Sequence, residues 1–209
     1  MDDLVIQRPL NTRVQAAQLV MLFHGVGSSA EDLRPLGESL ASQRPHAWVV
    51  SVRSPDASDL GRGWQWFSVR GITEDNRPGR ITATMERFVE KVAEWQHAAG
   101  AGPESTTLVG FSQGAIMALE STQLNQPPAR CVAAIAGRFG QPPRVVPRDT
   151  RVHLLHGERD NVVPASESVE AQSRLEALHA DVTLDLFPNL GHGIDARVVQ
   201  RLHERLATP

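Results

Sequence analysis

Gly110-Phe111-Ser112-Gln113-Gly114 stands between an apolar run, Thr106-Thr107-Leu108-Val109, and a helix-forming run, Ala115-Ile116-Met117-Ala118-Leu119-Glu120. A strand that turns into a helix over one residue leaves that residue on a tight turn with its side chain pushed outward. A Cβ at 110 or 114 would collide with the neighbouring strand or helix, so both positions need glycine. The pattern therefore demands a strand–turn–helix unit. It presents the Ser112 hydroxyl and leaves the Gln113 N–H at a helix start, aimed where an oxyanion would form.

The rest of the chain repeats that alternation. Apolar strand-like runs fall at residues 19–23, 47–52, 106–111, 131–136, 151–155 and 182–187. Between them come helical patterns. Ser28 with Glu31 reads as a capping box opening a helix over 32–42. Ile81, Met85, Phe88, Val92 and Trp95 recur at helical spacing, as do Ile194, Val198, Leu202 and Leu206. A further helix is predicted over 165–179. Near-continuous apolar strands separated by helices imply a mostly parallel central sheet with helices on both faces. Residues 1–209 read as one domain with minimal or no lid. Ligands in such sheets bind beyond the carboxyl ends of the strands.

A serine hydroxyl needs a base to take its proton, and the base needs an acid to fix its tautomer. With a serine on a strand-to-helix turn of such a sheet, the expected chain order is serine, acid, histidine. Of the eight histidines, His192 stands in a glycine-flanked loop, Asn189-Leu190-Gly191-His192-Gly193, directly after a strand. Asp160 ends the short loop after strand 151–155. Glu158 is its nearest rival, and Asp195 is too close to His192 along a helix start to orient the ring. Ser112, Asp160 and His192 are therefore the candidate catalytic residues. Phe23-His24-Gly25-Val26-Gly27 supplies an early glycine loop, making the backbone N–H groups of Val26 and Gln113 the candidate oxyanion donors. Because a backbone donor survives side-chain mutation, Gln113→Ala is expected to be mild. His24 and His156 occupy matching His-Gly pairs at strand ends and read as structural, bonding loop backbone. No ligand spacing for a metal is present, and no cofactor is expected.

The net charge of −3 and the lack of a basic tract argue against nucleic acid as a partner. No apolar run approaches the length of a membrane span, and the start Met1-Asp2-Asp3-Leu4 lacks the features of a secretory signal. Cys131 is the single cysteine and reads as a buried small hydrophobe. A cytoplasmic setting, without stable membrane insertion, is the expectation. Trp64, Trp66, Phe67 and Phe139 are candidate walls of an acyl groove, with Trp66 and Phe67 the substrate-binding candidates. Exposed aromatics would equally serve a homodimer patch. Arg70, Arg77 and Arg80 are candidates to meet an anionic leaving group.

Together these residues resemble the phospholipase/carboxylesterase family, which includes the acyl-protein thioesterases. The likeness rests on Leu22-Phe23-His24-Gly25-Val26-Gly27, Trp66-Phe67, residues 110–114, His156-Gly157-Glu158-Arg159-Asp160 and Gly191-His192. It implies an α/β-hydrolase cleaving carboxyl esters or thioesters, with Ser112 as nucleophile, Asp160 as acid, His192 as base, and Val26 and Gln113 as oxyanion donors. Many relatives carry an aspartate where this chain has Ser28, and Trp-Phe-Asp where it has Ser68. The expected substrate is a small carboxyl ester of short to medium acyl chain. A thioester of CoA or protein, or a lysophospholipid, is the alternative.

Overall fold

The computed structural model describes residues 3–9 and 18–207. In chain order these form β1 (Leu4–Gln7), β2 (Gln18–Phe23), α1 (Arg34–Ser42), β3 (Ala47–Val52), β4 (Asp56–Ala57), β5 (Trp64–Gln65), α2 (Arg77–Ala99), β6 (Thr106–Phe111), α3 (Gln113–Ser121), β7 (Cys131–Ile135), β8 (Arg151–Gly157), α4 (Ser166–Ala177), β9 (Val182–Phe187) and α5 (Ala196–Ala207). Seven strands make one sheet in the order β1-β3-β2-β6-β7-β8-β9. All its pairings are parallel except that of β1 with β3 at the edge. The order runs outward in two directions from β2 and β6, so their carboxyl ends flank a topological switch point.

Each central strand is buried on both sides. Along β2, Leu19, Met21 and Phe23 pack into one apolar cluster with α2, α3 and α4, while Val20 and Leu22 join another with α1 and α5. The two clusters are the two faces of the sheet, which is why these strands read as unbroken apolar runs. Helix α2 buries Ile81, Met85, Phe88 and Val92 along one stripe and ends at Gly100, whose φ of 65° closes the helix in the left-handed conformation. Phe88 meets Phe23 at 4.7 Å and Trp66 at 5.1 Å between ring centroids. Residues 136–150, between β7 and β8, contain no helix or strand.

Two features differ from the sequence reading. The helix expected over 32–42 begins with a 3-10 turn, Glu31–Leu33, before α1. Its opening acid is Asp32, not Glu31: the Asp32 carboxylate accepts the Ser28 hydroxyl at 2.7 Å and the Ser29 N–H at 2.9 Å. Glu31 instead pairs with Arg34 at 2.6 Å. Strand β1 and the short β4–β5 ribbon were not anticipated. Four and two residues are too few to show a period, and both exist through partners distant in sequence.

The glycines around Ser112 are set by contact. A Cβ at Gly110 would stand 2.5 Å from the Ala115 backbone, and one at Gly114 would overlap the Phe23 carbonyl at the end of β2. Neither obstacle is a flexible side chain. Gly114→Ala is therefore expected to destabilise the fold by about 3 kcal/mol or more. Gly79→Ala, in the first turn of α2 with nothing within 4 Å of the added carbon, is expected to stabilise it by about 0.5–1 kcal/mol. Urea denaturation of both variants measures the contrast.

Candidate active site

Four loops leave the carboxyl ends of β2, β6, β8 and β9 and meet above the sheet. Ser112 lies between β6 and α3 at φ 52°, ψ −116°, a conformation that costs a non-glycine residue on the order of 1–3 kcal/mol. The bond from its N–H to the Ile135 carbonyl at 3.0 Å, and from the Ile116 N–H back to its own carbonyl at 3.0 Å, hold it there.

His192 joins the serine to an acid. Its Nε2 stands 2.9 Å from Ser112 Oγ and its Nδ1 stands 2.7 Å from Asp160 Oδ2. One neutral tautomer serves both bonds: Nδ1–H donates to the carboxylate and Nε2 accepts from the hydroxyl. The Phe111 ring lies against the imidazole, centroids 5.1 Å apart. The loop bearing His192 is tied to the loop bearing Asp160 through Arg159 N–H to the Leu190 carbonyl at 2.9 Å and Glu158 N–H to the Phe187 carbonyl at 3.0 Å. Asn189 takes a positive φ of 61° in that loop, a conformation asparagine tolerates better than most residues.

Asp160 is buried, which alone would raise its carboxyl pKa. The bond from His192 and the N–H groups of Val163 and Val162 on Oδ1, at 2.9 and 2.8 Å, outweigh burial and hold it below the usual carboxylate value. His156 reinforces the loop. Its Nε2 donates to the Val163 carbonyl at 2.9 Å, its Nδ1 accepts from Ser168 Oγ at 2.7 Å, and the ring lies 3.3 Å from Asp160 Oδ2.

The glycine loop after β2 closes the other side. A Cβ on Gly25 would stand 3.1 Å from the Ser112 Cβ, so the loop runs directly beside the nucleophile candidate. His24 is fully buried, and burial first of all pushes its pKa down and keeps it neutral. Its Nδ1 donates to the Gly25 carbonyl at 2.7 Å and its Nε2 accepts the Ser54 N–H at 3.1 Å. Gly27 N–H donates to the Trp64 carbonyl at 2.9 Å, and Trp64 N–H to the Ser28 carbonyl at 2.8 Å. Val26 is thereby held between two pinned neighbours. Gln113 stands at the first position of α3, where an N–H has no partner within its own helix.

Several residues are placed differently from the sequence expectation. Trp66 and Phe67 are 1% and 4% exposed, and the Trp66 ring packs on Phe23 and Phe88. Their side chains, like that of Phe139, lie in the core and do not wall an open groove. The Trp66 ring packs on Phe88 of α2, and Phe67 and Phe139 join the same apolar cluster. Their backbones reach the site instead: Gln113 Oε1 accepts the Trp66 N–H at 2.7 Å and Gln113 Nε2 donates to the Phe67 carbonyl at 2.8 Å. That clamp overturns the expected mildness of Gln113→Ala. Arg77 pairs with Glu74, and Arg80 donates to the Ser68 carbonyl. Ser68 donates its hydroxyl at 2.6 Å to the Asp59 carboxylate across the loop.

The comparisons with known proteins agree with this frame. The profile of the phospholipase/carboxylesterase family matches residues 4–208. The chain belongs to that family. It is thus a hydrolase with the α/β-hydrolase fold. It is 44% identical over 199 residues to the esterase YpfH of Escherichia coli (strain K12), covering 95% of this chain and 84% of the relative. It is 24% identical to acyl-protein thioesterase 1 of Gibberella zeae over 85% of this chain and 84% of that protein. Among solved structures, esterase PE8 superposes with a TM-score of 0.82 at 28% identity, covering 91% of each chain. The Bacillus cereus carboxylesterase has the same fold, with a TM-score of 0.82 at 21% identity over 99% of this chain and 94% of that one. Among the described residues, no helix is long and apolar enough to cross a membrane.

Two outcomes follow from the site's hydrogen bonds. Gln113→Ala strands a buried N–H and a buried carbonyl and is expected to cost about 1–3 kcal/mol in urea denaturation, with a fall in kcat as the 64–67 segment loosens. The carboxyl of Asp160 is lowered on folding. Its ionisation therefore contributes stability fully above the unfolded value of about 3.9, and loses it as pH falls through the folded value. The stability difference between wild type and Asp160→Asn is expected to shrink below about pH 4 in melts taken from pH 5 to pH 2.

Proposed function

We propose that the protein hydrolyses carboxyl esters of short to medium acyl chain by a Ser-His-Asp acyl-enzyme mechanism, with the whole chain acting as one catalytic domain. The observation that carries this is the continuous path of hydrogen bonds from Ser112 Oγ through His192 to Asp160, at 2.9 and 2.7 Å, between loops that follow three different strands. A positioned base and an oriented acid are what a hydroxyl needs to attack a carbonyl at neutral pH.

Ser112 Oγ attacks the ester carbonyl as its proton passes to His192 Nε2. The imidazolium is stabilised by Asp160, which stays ionised. The tetrahedral oxygen takes hydrogen bonds from the Val26 and Gln113 amides. The imidazolium then gives its proton to the leaving alcohol, and a water molecule repeats the sequence on the acyl-serine. The residues need no metal or cofactor for any of these steps. The likeness to acyl-protein thioesterase 1 supports a thioester as the alternative substrate, because attack on its carbonyl gives an analogous tetrahedral intermediate from which a thiol leaves in place of an alcohol.

Ser112→Ala is expected to abolish labelling by a fluorophosphonate probe and to lower hydrolysis of p-nitrophenyl butyrate by roughly 10³-fold or more. His192→Gln and Asp160→Asn should each lose a similar factor without unfolding. Labelling of Ser112→Ala as strong as that of wild type would remove Ser112 from the role of nucleophile. Assays on butyryl-CoA beside the aryl ester separate thioesterase from esterase.

A further inference from the structure

Between the end of β8 and α4 the chain carries Asp160 on an exposed turn. Glu158, Arg159, Asn161 and Val162 face water, and of residues 158–162 Asp160 alone is buried. The turn therefore has little core of its own to hold the carboxylate at the angle His192 needs. Its two ends do that work. Gly157 packs against the Leu190 and Gly191 carbonyls of the loop bearing His192, with no room for a Cβ. Val163 closes the far end, and its N–H donates to Asp160 Oδ1 at 2.9 Å, beside that of Val162 at 2.8 Å. With Oδ1 engaged by two backbone donors, Oδ2 is the oxygen that meets His192, 2.7 Å away.

His156 fixes Val163 in turn. Its Nε2 donates to the Val163 carbonyl at 2.9 Å, and its Nδ1 accepts from Ser168 Oγ of α4 at 2.7 Å. One imidazole thus ties β8, the turn and α4 together. Val163 is held on both sides, its carbonyl by His156 and its N–H by Asp160. The same Nε2 lies 3.3 Å from Asp160 Oδ2, and neither side chain is exposed to solvent. Ser168 is 3% exposed. Without the ring, the buried Val163 carbonyl has no water at hand to replace its donor, and the turn must move to find one.

We propose that His156 is a positioning residue for the hydrolysis, acting through Val163 on the plane of the Asp160 carboxylate, with Ser168 fixing the tilt of its ring. The inference rests on the proposed esterase reading. His156 takes no proton from the serine and makes no bond to substrate. It governs how squarely Oδ2 faces His192 Nδ1 as that imidazole becomes charged. The interaction between Asp160 and the imidazolium is made in the transition state, so a displaced carboxylate lowers kcat and kcat/KM together and leaves KM nearly unchanged. A histidine with a merely structural role would lower the fraction of folded protein, while the folded molecules turned over at the wild-type rate.

The test compares wild type with His156→Phe, His156→Gln and Ser168→Ala on p-nitrophenyl butyrate, with kcat expressed per site labelled by a fluorophosphonate at saturation. His156→Phe fills the space without a donor and is expected to lower kcat about ten- to thirtyfold, with KM within about twofold of wild type. His156→Gln keeps an N–H near the Nε2 position and is expected to bring kcat back to within about threefold of wild type. Ser168→Ala frees the ring to tilt and is expected to lower kcat about two- to fivefold. Should His156→Phe fail to fold, His156→Asn, whose shorter amide reaches Ser168 but not Val163, is expected to show the same loss. In an Asp160→Asn background, where the carboxylate is gone, His156→Phe is expected to cost less than about twofold. A wild-type kcat per labelled site in His156→Phe and Ser168→Ala, or a loss that recurs in full beside Asp160→Asn, would overturn the inference while leaving the esterase reading intact. Labelling that persists in Ser112→Ala would overturn that reading instead.

Discussion

The close approach of the start of α3 to the end of β2 is the contact on which the site depends. Gly114 lies against the Phe23 carbonyl with no room for a Cβ, and Gly110 lies as tightly under Ala115. Those two contacts let the chain reverse over Ser112 alone, and the serine is left at a positive φ of 52°. The turn is strained, and the surrounding sheet supplies the energy that holds it. The two strands brought together there are the pair from which the sheet order diverges, so the space above them is open to loops from either side.

Around that turn, the polar groups that shape the site also finish the fold. His24 and His156 each connect a strand end to the loop after it through ring hydrogen bonds, one at the glycine loop and one at the loop bearing Asp160. The side chain of Gln113 is buried and clamps the backbone of Trp66 and Phe67. Trp64 in turn pins Gly27 and Ser28, with the Arg53 guanidinium lying 3.9 Å over its ring. The connection between β3 and α2, residues 53–76, is thus organised by contacts with the glycine loop and the start of α3, although it contributes none of the three residues joined by hydrogen bonds at Ser112.

Much of this was legible because each signal was local. Strand runs such as Ala47-Trp48-Val49-Val50-Ser51-Val52 and the stripe of Ile81, Met85, Phe88 and Val92 show their period directly, and the elements formed where that period lies. Ser112, Asp160 and His192 stood out because each follows a different strand in a parallel sheet, which must carry them to one edge, and the structure brings them into hydrogen-bond contact. What failed was anything decided by a choice among partners. Trp66 and Phe67 sit in a polar, glycine-rich stretch and looked free to line a groove, but α2 offers them an apolar surface that water does not. Ser28 had two acids within reach in sequence, and it was geometry that selected Asp32 over Glu31.

The amino-acid order by itself determined the alternation of strands and helices, the single-residue turn at Ser112 and the set of chemical groups available at the carboxyl edge. These follow from steric limits and hydrophobic period, which act over a few neighbouring residues. Tertiary structure alone decided which aromatic rings became core, which side chain clamps the loop between β3 and α2, and which partners His156 takes in the Asp160 loop and in α4. Those outcomes depend on distances between segments far apart in the chain, and local sequence holds no record of such distances.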